Sequence, residues 1–238
     1  MTSTKKFIIE LVAAFIFFVG LIYLIRISGL DLTISDKAFE STGFESTTML
    51  GIAAWVGKYL SVIFCIFLIL MLPWLLKKQN PLAREAILAV AILVIGPGLL
   101  NNFIFKPLFQ RPRPVQIERY NEQAKAHFTP ALSIGKNEKD TSFPSGHSGA
   151  AFFFIFPWFC LRFRKKYGIR LIIPGLIFGI MTGSVRILEG RHFLSDVTAS
   201  LAVVYLTGTL LSYLTYRNVK ESLQQNPAGL SDTAPQEN

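Results

Sequence analysis

The sequence is poor in charged residues and in cysteine. Only 16% of the 238 residues are Asp, Glu, Lys or Arg, whereas soluble domains usually contain about a quarter. Cys65 and Cys160 both lie in apolar runs and lack the spacing of metal ligands. A disulfide framework and a zinc site are therefore not indicated. Both cysteines are expected to be small buried hydrophobic residues, and they do not indicate a redox compartment.

Apolar residues dominate instead, making up 51% of the chain and including 21 Phe. A helix that crosses a hydrocarbon core of about 30 Å needs roughly 20 apolar residues, and several runs approach that length. We therefore predict an integral membrane protein of the all-α class, a bundle of six transmembrane helices. The predicted spans are 7–27, 51–76, 84–104, 147–163, 169–187 and 196–216. Residues 1–216 are expected to form one domain, and residues 217–238 a polar, disordered tail.

The distribution of basic residues predicts the orientation. The formal net charge is +9, and Lys and Arg are concentrated near both termini and in the two short links after residues 76 and 163. Cytoplasmic loops of membrane proteins carry such an excess. Both termini are therefore expected in the cytoplasm, with the 28–50, 105–146 and 188–195 loops on the outer face of the cytoplasmic membrane. A nucleic-acid partner is not expected, because a basic stripe on a soluble domain is missing.

Three polar clusters lie at the outer ends of the predicted spans. KPLFQRPRP at 106–114 follows the third span, PSGH at 144–147 opens the fourth, and RILEGRHFLSD at 186–196 joins the fifth and sixth. A helix bundle assembles its sites from facing helices, so these distant segments are expected to meet.

The third cluster indicates a nucleophile. His192 and Asp196 are four residues apart, which places both side chains on one face of a helix. A carboxylate that accepts from one ring nitrogen fixes the tautomer and leaves the other nitrogen free as a nucleophile or base. An isolated pair with this spacing is more often an ordinary helix start, so the interpretation depends on the other clusters.

The cations indicate an anionic ligand. Lys106, Arg111 and Arg113 form one run, and arginine binds phosphate oxygens through two parallel N–H groups. Anchoring to lipid headgroups is the alternative for such a run. Arg186 lies at the apolar end of the fifth span, where a charge is costly and usually faces a cavity or a partner.

The second cluster adds an acid. Ser145 and Gly146 precede a predicted helix start, where free N–H groups bind anions, and His147 is placed to protonate a leaving oxygen. Two histidines, a carboxylate and several cations suit phosphoryl transfer without a metal, by positioning and charge stabilisation.

The three clusters together resemble the signature of the type 2 phosphatidic acid phosphatase family of membrane lipid phosphatases. That signature reads K-x6-R-P, then P-S-G-H, then S-R-x5-H-x3-D. It corresponds here to Lys106 with Arg113-Pro114, to 144–147, and to Arg186 with His192 and Asp196. One position differs, because Val185 stands where the family usually has Ser; only a secondary hydrogen bond is put in doubt.

The resemblance implies a role for each residue. His192 would be the nucleophile that forms a phosphohistidine, Asp196 its orienting partner, and His147 the general acid and later the base for water. The phosphate would be bound by Lys106, Arg113, Arg186, Ser145 and Gly146. Arg111 lies outside the pattern and is left as a helper. No metal or other cofactor is implied.

The expected function is removal of phosphate from a lipid at the outer leaflet. The opening GLDLTISDKAFE at 29–40 and the short chain look like bacterial lipid A phosphatases. Undecaprenyl diphosphate and phosphatidylglycerophosphate phosphatases are close alternatives, as is transfer of the phosphate to another lipid. A transporter is a distant alternative, since it would place charges near the midplane and contain inverted repeats. The expected partners are the substrate and membrane lipids, and the oligomeric state is left open.

The remaining polar residues receive an ordinary surface interpretation. His127 stands alone in the 105–146 loop. For Glu189 and Arg191, contact with a lipid headgroup is the alternative to a plain surface position.

Overall fold

The apolar runs of the sequence form helices throughout. The computed structural model describes residues 3–80, 82–136, 141–162 and 169–225. The α-helices of these segments are α1 Ser3–Ile27, α2 Leu30–Thr42, α3 Thr48–Lys77, α4 Leu82–Leu93, α5 Lys106–Phe109, α6 Gly146–Phe152, α7 Phe156–Leu161, α8 Ile173–Leu188 and α9 Leu194–Gln225. A π-helix, Val94–Phe105, joins α4 to α5, and 3-10 turns lie at Pro114–Gln116, Phe153–Ile155 and Ile169–Ile172. The all-α class is confirmed.

Within these described segments, five helical stretches are long and apolar enough to cross a membrane, so the protein is multi-pass. They are Thr4–Ile27, Thr48–Lys77, Leu82–Gln116, Ile169–Leu188 and Leu194–Arg217. The predicted span at 147–163 is the shorter apolar helix Gly146–Leu161. A 3-10 turn and Pro157 at the start of α7 interrupt its α-helical hydrogen bonding. The expected count of six is thus reached only if this short segment also crosses.

The third predicted span, 84–104, ends in a π-helix rather than continuing as an α-helix. Pro97 lies inside it, and Pro has no backbone N–H to donate within the helix. The side-chain amide of Asn102 donates to the Pro97 carbonyl at 2.8 Å. The π-helix runs directly into α5 and so places Lys106 at its end. Such segments occur frequently at functional sites.

The short helix α6 lies in the middle of the bundle. It packs against α3, α8, α9 and the π-helix. Phe152, Phe153 and Phe159 belong to the main hydrophobic core and are almost fully buried. The beginning of α6, with His147, is consequently held among the surrounding helices.

One helix was not expected from the sequence. The 28–50 segment contains α2, which is flanked by Gly29 (φ 69°) and Gly43 (φ 59°) in the left-handed conformation that glycine adopts readily. Asp31 and Ser35 on α2 are buried. Near the C-terminus, the helix α9 continues through residues 217–225 of the expected tail. Residues 226–238 lie outside the described segments.

Close packing of α6 against α8 gives a test of the fold. A Cβ added at Gly179 would lie 2.0 Å from the Phe152 ring, whereas one at Gly20 on α1 would meet nothing within 4 Å. Gly179→Ala is therefore expected to destabilise the protein by about 1–3 kcal/mol, seen as a lower Tm in detergent. Gly20→Ala, the matched control, should leave the Tm unchanged or raise it. Equal Tm values for the two variants would contradict this packing.

Candidate active site

His192 and Asp196 lie together at the beginning of α9. The Nδ1 atom of His192 is 3.5 Å from Oδ2 of Asp196, and both side chains are buried. The backbone N–H of Phe193 donates to the same Oδ2 at 2.8 Å. The contact of the two side chains is longer than a normal hydrogen bond. The expected pairing is present, although His192 precedes the helix rather than lying in its first turn.

The environment of His192 favours a neutral imidazole. Burial lowers the pKa of His192 to about 4, because the charged ring is poorly solvated there. Asp196 opposes this effect, while Arg186 and Lys106 reinforce it. A neutral ring with one nitrogen directed to a carboxylate has a free lone pair on the other nitrogen, which a nucleophile at neutral pH requires.

The 144–147 turn is tied to the beginning of α9. The Ser145 backbone N–H donates to the Asp196 carbonyl at 3.1 Å, and the Ser200 hydroxyl donates to the Ser145 carbonyl at 2.6 Å. Ser145 also caps α6, because its Oγ accepts from the Ser148 N–H at 3.3 Å. These bonds fix Gly146 and His147 relative to His192.

The predicted cations converge on the same place. The charge of Lys106 interacts with those of Arg113, Arg186 and Asp196. The His147 ring interacts electrostatically with Arg186, His192 and Lys106. Three sequence clusters from different helices thus meet. Like charges held so close together favour an anionic ligand.

Gly146 brings the backbone of α6 close to Lys106. A Cβ at this position would lie 3.5 Å from Lys106 Nζ and 3.2 Å from Asn102 Oδ1. Lys58 of α3 joins the group, since its charge interacts with those of Lys106 and His147. Lys58 could not be selected from the sequence, because it lies in an apolar span far from the three clusters.

Glu189 is not a surface residue, and that interpretation is wrong. It is buried, its Oε2 accepts a hydrogen bond from Arg186 Nη1, and its Oε1 accepts from the Ser46 hydroxyl at 2.7 Å. The ion pair fixes the Arg186 guanidinium from one side. The spacing of three residues between Arg186 and Glu189 along a helix was the feature of the sequence that could have predicted this pair.

His127 is exposed and pairs with Glu118 at 2.8 Å, which confirms its surface position.

Arg111 does not join the cations around His147 but lies behind Asp196. Its Nη1 donates to Asp196 Oδ1 at 2.6 Å, and its Nη2 donates to Asp31 Oδ2 at 2.8 Å. The side chain is 1% exposed. The expected role as a helper in binding phosphate is therefore not supported by its position. Asp31 was missed because 80 residues separate it from Arg111.

A large cavity reaches His147 and Lys106. It has a volume of about 840 Å³ and lies between α3, the π-helix and α6. At one end it is lined by Lys58, Asn102, Lys106, Gly146 and His147. Its other walls are almost entirely apolar, with Val62, Ile66, Ile69, Leu99 and Phe103 among the lining residues. Among the described residues, no group of three or more His, Cys, Asp or Glu side chains is arranged to hold a metal ion.

Comparison with known proteins identifies the family of the chain. The model of the PAP2 superfamily matches residues 83–220, more than half of the chain. The chain belongs to the PAP2 superfamily. It is thus a lipid phosphate phosphatase of that superfamily, as its motifs predict.

Several curated relatives have named activities. A lipid A 4'-phosphatase of Francisella tularensis subsp. novicida is 30% identical over 84% of this chain and 92% of its own length. An undecaprenyl-diphosphatase of Bacillus subtilis is 29% identical over 73% of this chain and 79% of its own. The crystal structure of a phosphatidylglycerolphosphate phosphatase from Bacillus subtilis matches with a TM-score of 0.56 and 20% identity, covering 90% of this chain and 97% of the other. This last likeness concerns the fold alone.

Burial of His192 predicts a pH dependence of stability. Its pKa is about 4 in the folded protein and about 6.5 in the unfolded chain, so the unfolded state binds the proton first as the pH falls. The stabilisation from neutral His192, at most about 3 kcal/mol, is complete above about pH 6.5 and is lost toward about pH 4. Between neutral pH and about pH 5, the Tm of the wild type should fall more than that of His192→Gln. Parallel Tm curves for the two proteins would contradict the shift.

Proposed function

We propose that this phosphatase removes a phosphate group from lipid A through a phosphohistidine on His192. The observation that supports the proposal best is the arrangement around that ring. A neutral imidazole has Asp196 on one side, while Lys106 and Arg186 are near enough for their charges to act on it. Such a ring can attack phosphorus, and the cations stabilise charge on the transferring phosphoryl oxygens.

The reaction would proceed in two displacements. The free ring nitrogen of His192 attacks phosphorus, and the bond to the leaving lipid oxygen breaks as His147 donates a proton to that oxygen. The imidazolium that forms is stabilised by Asp196. In the second step, His147 takes a proton from water, the water oxygen attacks phosphorus, and the nitrogen–phosphorus bond breaks. Inorganic phosphate leaves, and both histidines return to their starting states.

Phosphate binding is assigned to the converging cations and the α6 turn. Lys106, Arg113 and Arg186 would bind the phosphoryl oxygens, with Ser145 and the Gly146 N–H contributing hydrogen bonds. The pairing of Arg186 with Glu189 supports this assignment, because it holds the guanidinium in one orientation.

The substrate is inferred from the relatives and the cavity. Lipid A 4'-phosphatases include the Francisella protein and one from Rhizobium etli that is 38% identical over 49% of this chain. The apolar walls of the cavity suit acyl chains, and its polar end suits a phosphate. Undecaprenyl diphosphate is a second candidate, favoured by the Bacillus relative and by the same apolar walls.

We further propose six crossings, with Gly146–Leu161 as the short one and the site at the outer face. A helix of this length spans about 24 Å, less than the hydrocarbon core, but its beginning is packed inside the bundle rather than against lipid. The excess of Lys and Arg near the termini supports a cytoplasmic location for both ends. Residues 1–216 would then form the enzymatic domain, and residues 217–238 a cytoplasmic tail.

The nucleophile is tested by substitution and trapping. His192→Ala and His147→Ala should each lower phosphate release at least about 1,000-fold, because each removes a proton-transfer or covalent step. Rapid quenching of the wild type with labelled lipid should yield an acid-labile, base-stable phosphoprotein that His192→Ala does not form. His127→Ala, at an exposed position, is the control that should keep full activity. Normal phosphate release by folded His192→Ala would overturn the mechanism.

The substrate is tested with a panel of purified lipids. Lipid A, undecaprenyl diphosphate, phosphatidylglycerophosphate and phosphatidic acid are compared with and without a chelator. The highest kcat/KM is expected for lipid A, with free phosphate as the product and no loss on chelation. A phosphorylated second lipid in place of free phosphate would show transfer rather than hydrolysis, and preference for another lipid would reject lipid A.

The cavity is tested with a matched pair of valines. Val62 on α3 lines the cavity, and Val19 on α1 does not, although both are 37% exposed. Val62→Trp should raise the KM for a long-chain lipid phosphate several-fold and leave hydrolysis of a short-chain analogue nearly unchanged. Val19→Trp should alter neither. Equal effects of the two substitutions would argue against the cavity as the site of the acyl chains.

A further inference from the structure

We propose that Arg111 and Asp31 are positioning residues that hold the Asp196 carboxylate against the reactive histidine. The inference depends on the proposed role of His192. It concerns two residues outside the family signature, one of them on the unexpected helix α2. Neither residue is assigned contact with the substrate.

All three nitrogen atoms of the Arg111 guanidinium donate hydrogen bonds to other residues. Its Nε donates to the Thr129 carbonyl at 2.7 Å, and its Nη1 donates to the Ser195 hydroxyl at 2.7 Å as well as to Asp196. The faces of the group lie against aromatic rings, with Cζ 4.2 Å from the centroid of Phe193 and 5.5 Å from that of Phe128. A planar cation held in this way has one orientation.

Asp31 completes the arrangement from the opposite side. Its Oδ2 accepts from Arg111 Nη2 at 2.8 Å and from the Ser195 hydroxyl at 2.6 Å, and its Oδ1 accepts from the Ser195 N–H at 2.8 Å. Asp31 is 2% exposed and Asp196 is 0% exposed. The first turn of α9 is thereby bound to α2 in two ways: Ser195 binds Asp31 directly, and Asp196 binds Asp31 through Arg111.

The two oxygens of Asp196 are consequently divided between two tasks. Oδ1 accepts from Arg111, and Oδ2 faces the Phe193 N–H and Nδ1 of His192. Rotation of the carboxylate would break these bonds in a fully buried place, which is costly. Oδ2 therefore stays directed at the histidine.

Charge balance gives Arg111 a second effect. The charged or titratable groups that face Asp196 are Arg111 from the segment after α5, His192 before α9 and, at longer range, Lys106, with Asp31 joined through Arg111. If Arg111 were neutral, two carboxylates would share a buried site without their common partner. One of them would then take up a proton more readily. A protonated Asp196 stabilises an imidazolium poorly.

A tether between two segments is the competing explanation, and the chain contains a control for it. Arg119 and Asp36 join the same segment after α5 to the same helix α2, through two bonds of 2.8 Å. This pair is exposed and does not contact Asp196. If Arg111 acted only as a tether, Arg119→Gln should have a comparable effect.

The experiment compares Arg111→Gln, Arg111→Lys, Asp31→Asn, the Arg111→Gln/Asp31→Asn double variant and Arg119→Gln. Each detergent-solubilised protein is checked by gel filtration and Tm, and kcat, KM and the pH profile are measured with a lipid phosphate that the wild type hydrolyses. Arg111→Gln is expected to lower kcat by about 10- to 100-fold, as supporting residues do, with KM changed less than about threefold. The acidic limb of its kcat profile should move to higher pH.

The other variants separate charge from shape. Asp31→Asn leaves a single carboxylate facing Arg111, so its acidic limb should stay at the wild-type pH while kcat falls modestly. The double variant should move the limb back from the Arg111→Gln position toward the wild type. Arg111→Lys keeps the charge without the planar group. Its acidic limb should therefore stay at the wild-type pH, while its kcat should be lower than that of the wild type. Arg119→Gln should match the wild type.

Several outcomes would overturn the inference. They are equal losses of kcat in Arg111→Gln and Arg119→Gln, a loss in Arg111→Gln without movement of the acidic limb, or a full wild-type profile for Arg111→Gln. If Arg111→Gln does not fold, the decision rests on Asp31→Asn and Arg111→Lys, and wild-type kcat in both would reject the inference. His192→Ala is measured in parallel. Activity in that variant would reject the proposed function itself, whereas an inactive His192→Ala beside a normal Arg111→Gln would reject only the positioning role.

Discussion

Burial of the Asp196 carboxylate is the constraint on which the site depends. An ionised carboxylate without solvent exposure is stable only when its oxygens are hydrogen-bonded and its charge is paired. Here the partners come from separate parts of the chain: the Phe193 N–H from its own turn and Arg111 from the segment after α5. The backbone carbonyl of Asp196 additionally accepts from Ser145, which starts α6. The hydrogen bonds of this one buried aspartate therefore bring the three sequence clusters together.

Charges of both signs act on the His192 ring. Asp196, whose negative charge is shared with Arg111, faces Nδ1 of the ring, and the positive charges of Lys106 and Arg186 also act on it. Burial and these cations lower the pKa of His192 more than Asp196 raises it. In the proposed mechanism the ring stays neutral until it attacks phosphorus, and the positive charge that then develops faces a carboxylate already in place. Such preorganised charge costs no rearrangement during the reaction.

The spacing of residues along the sequence predicted contacts within one segment of the site. It did not predict contacts between segments that are distant in the sequence. His192 and Asp196 are four residues apart and were selected correctly as neighbours, as the structure shows. Arg111 and Asp31 could not be paired from the sequence, because hydropathy and spacing carry no information on contacts across 80 residues. Glu189 was placed on the surface although its spacing of three residues from Arg186 was a local signal for their pairing. The apolar run at 147–163 predicted a full span, but composition does not reveal the 3-10 turn that divides it.

The short central helix explains how a polar reaction and an apolar substrate share one site. Because α6 begins within the bundle, His147 lies in the same cavity as Ile66 and Ile69 of α3, rather than on an exposed loop. A water-soluble phosphate ester would gain little from apolar walls of this extent. The acyl chains of a lipid pass from bilayer hydrocarbon to these walls with little change in hydrophobic free energy, because lipid tails are as apolar as the side chains. In the proposed mechanism the walls therefore orient the lipid, so that its phosphate lies at His147 and Lys106, the polar end of the cavity.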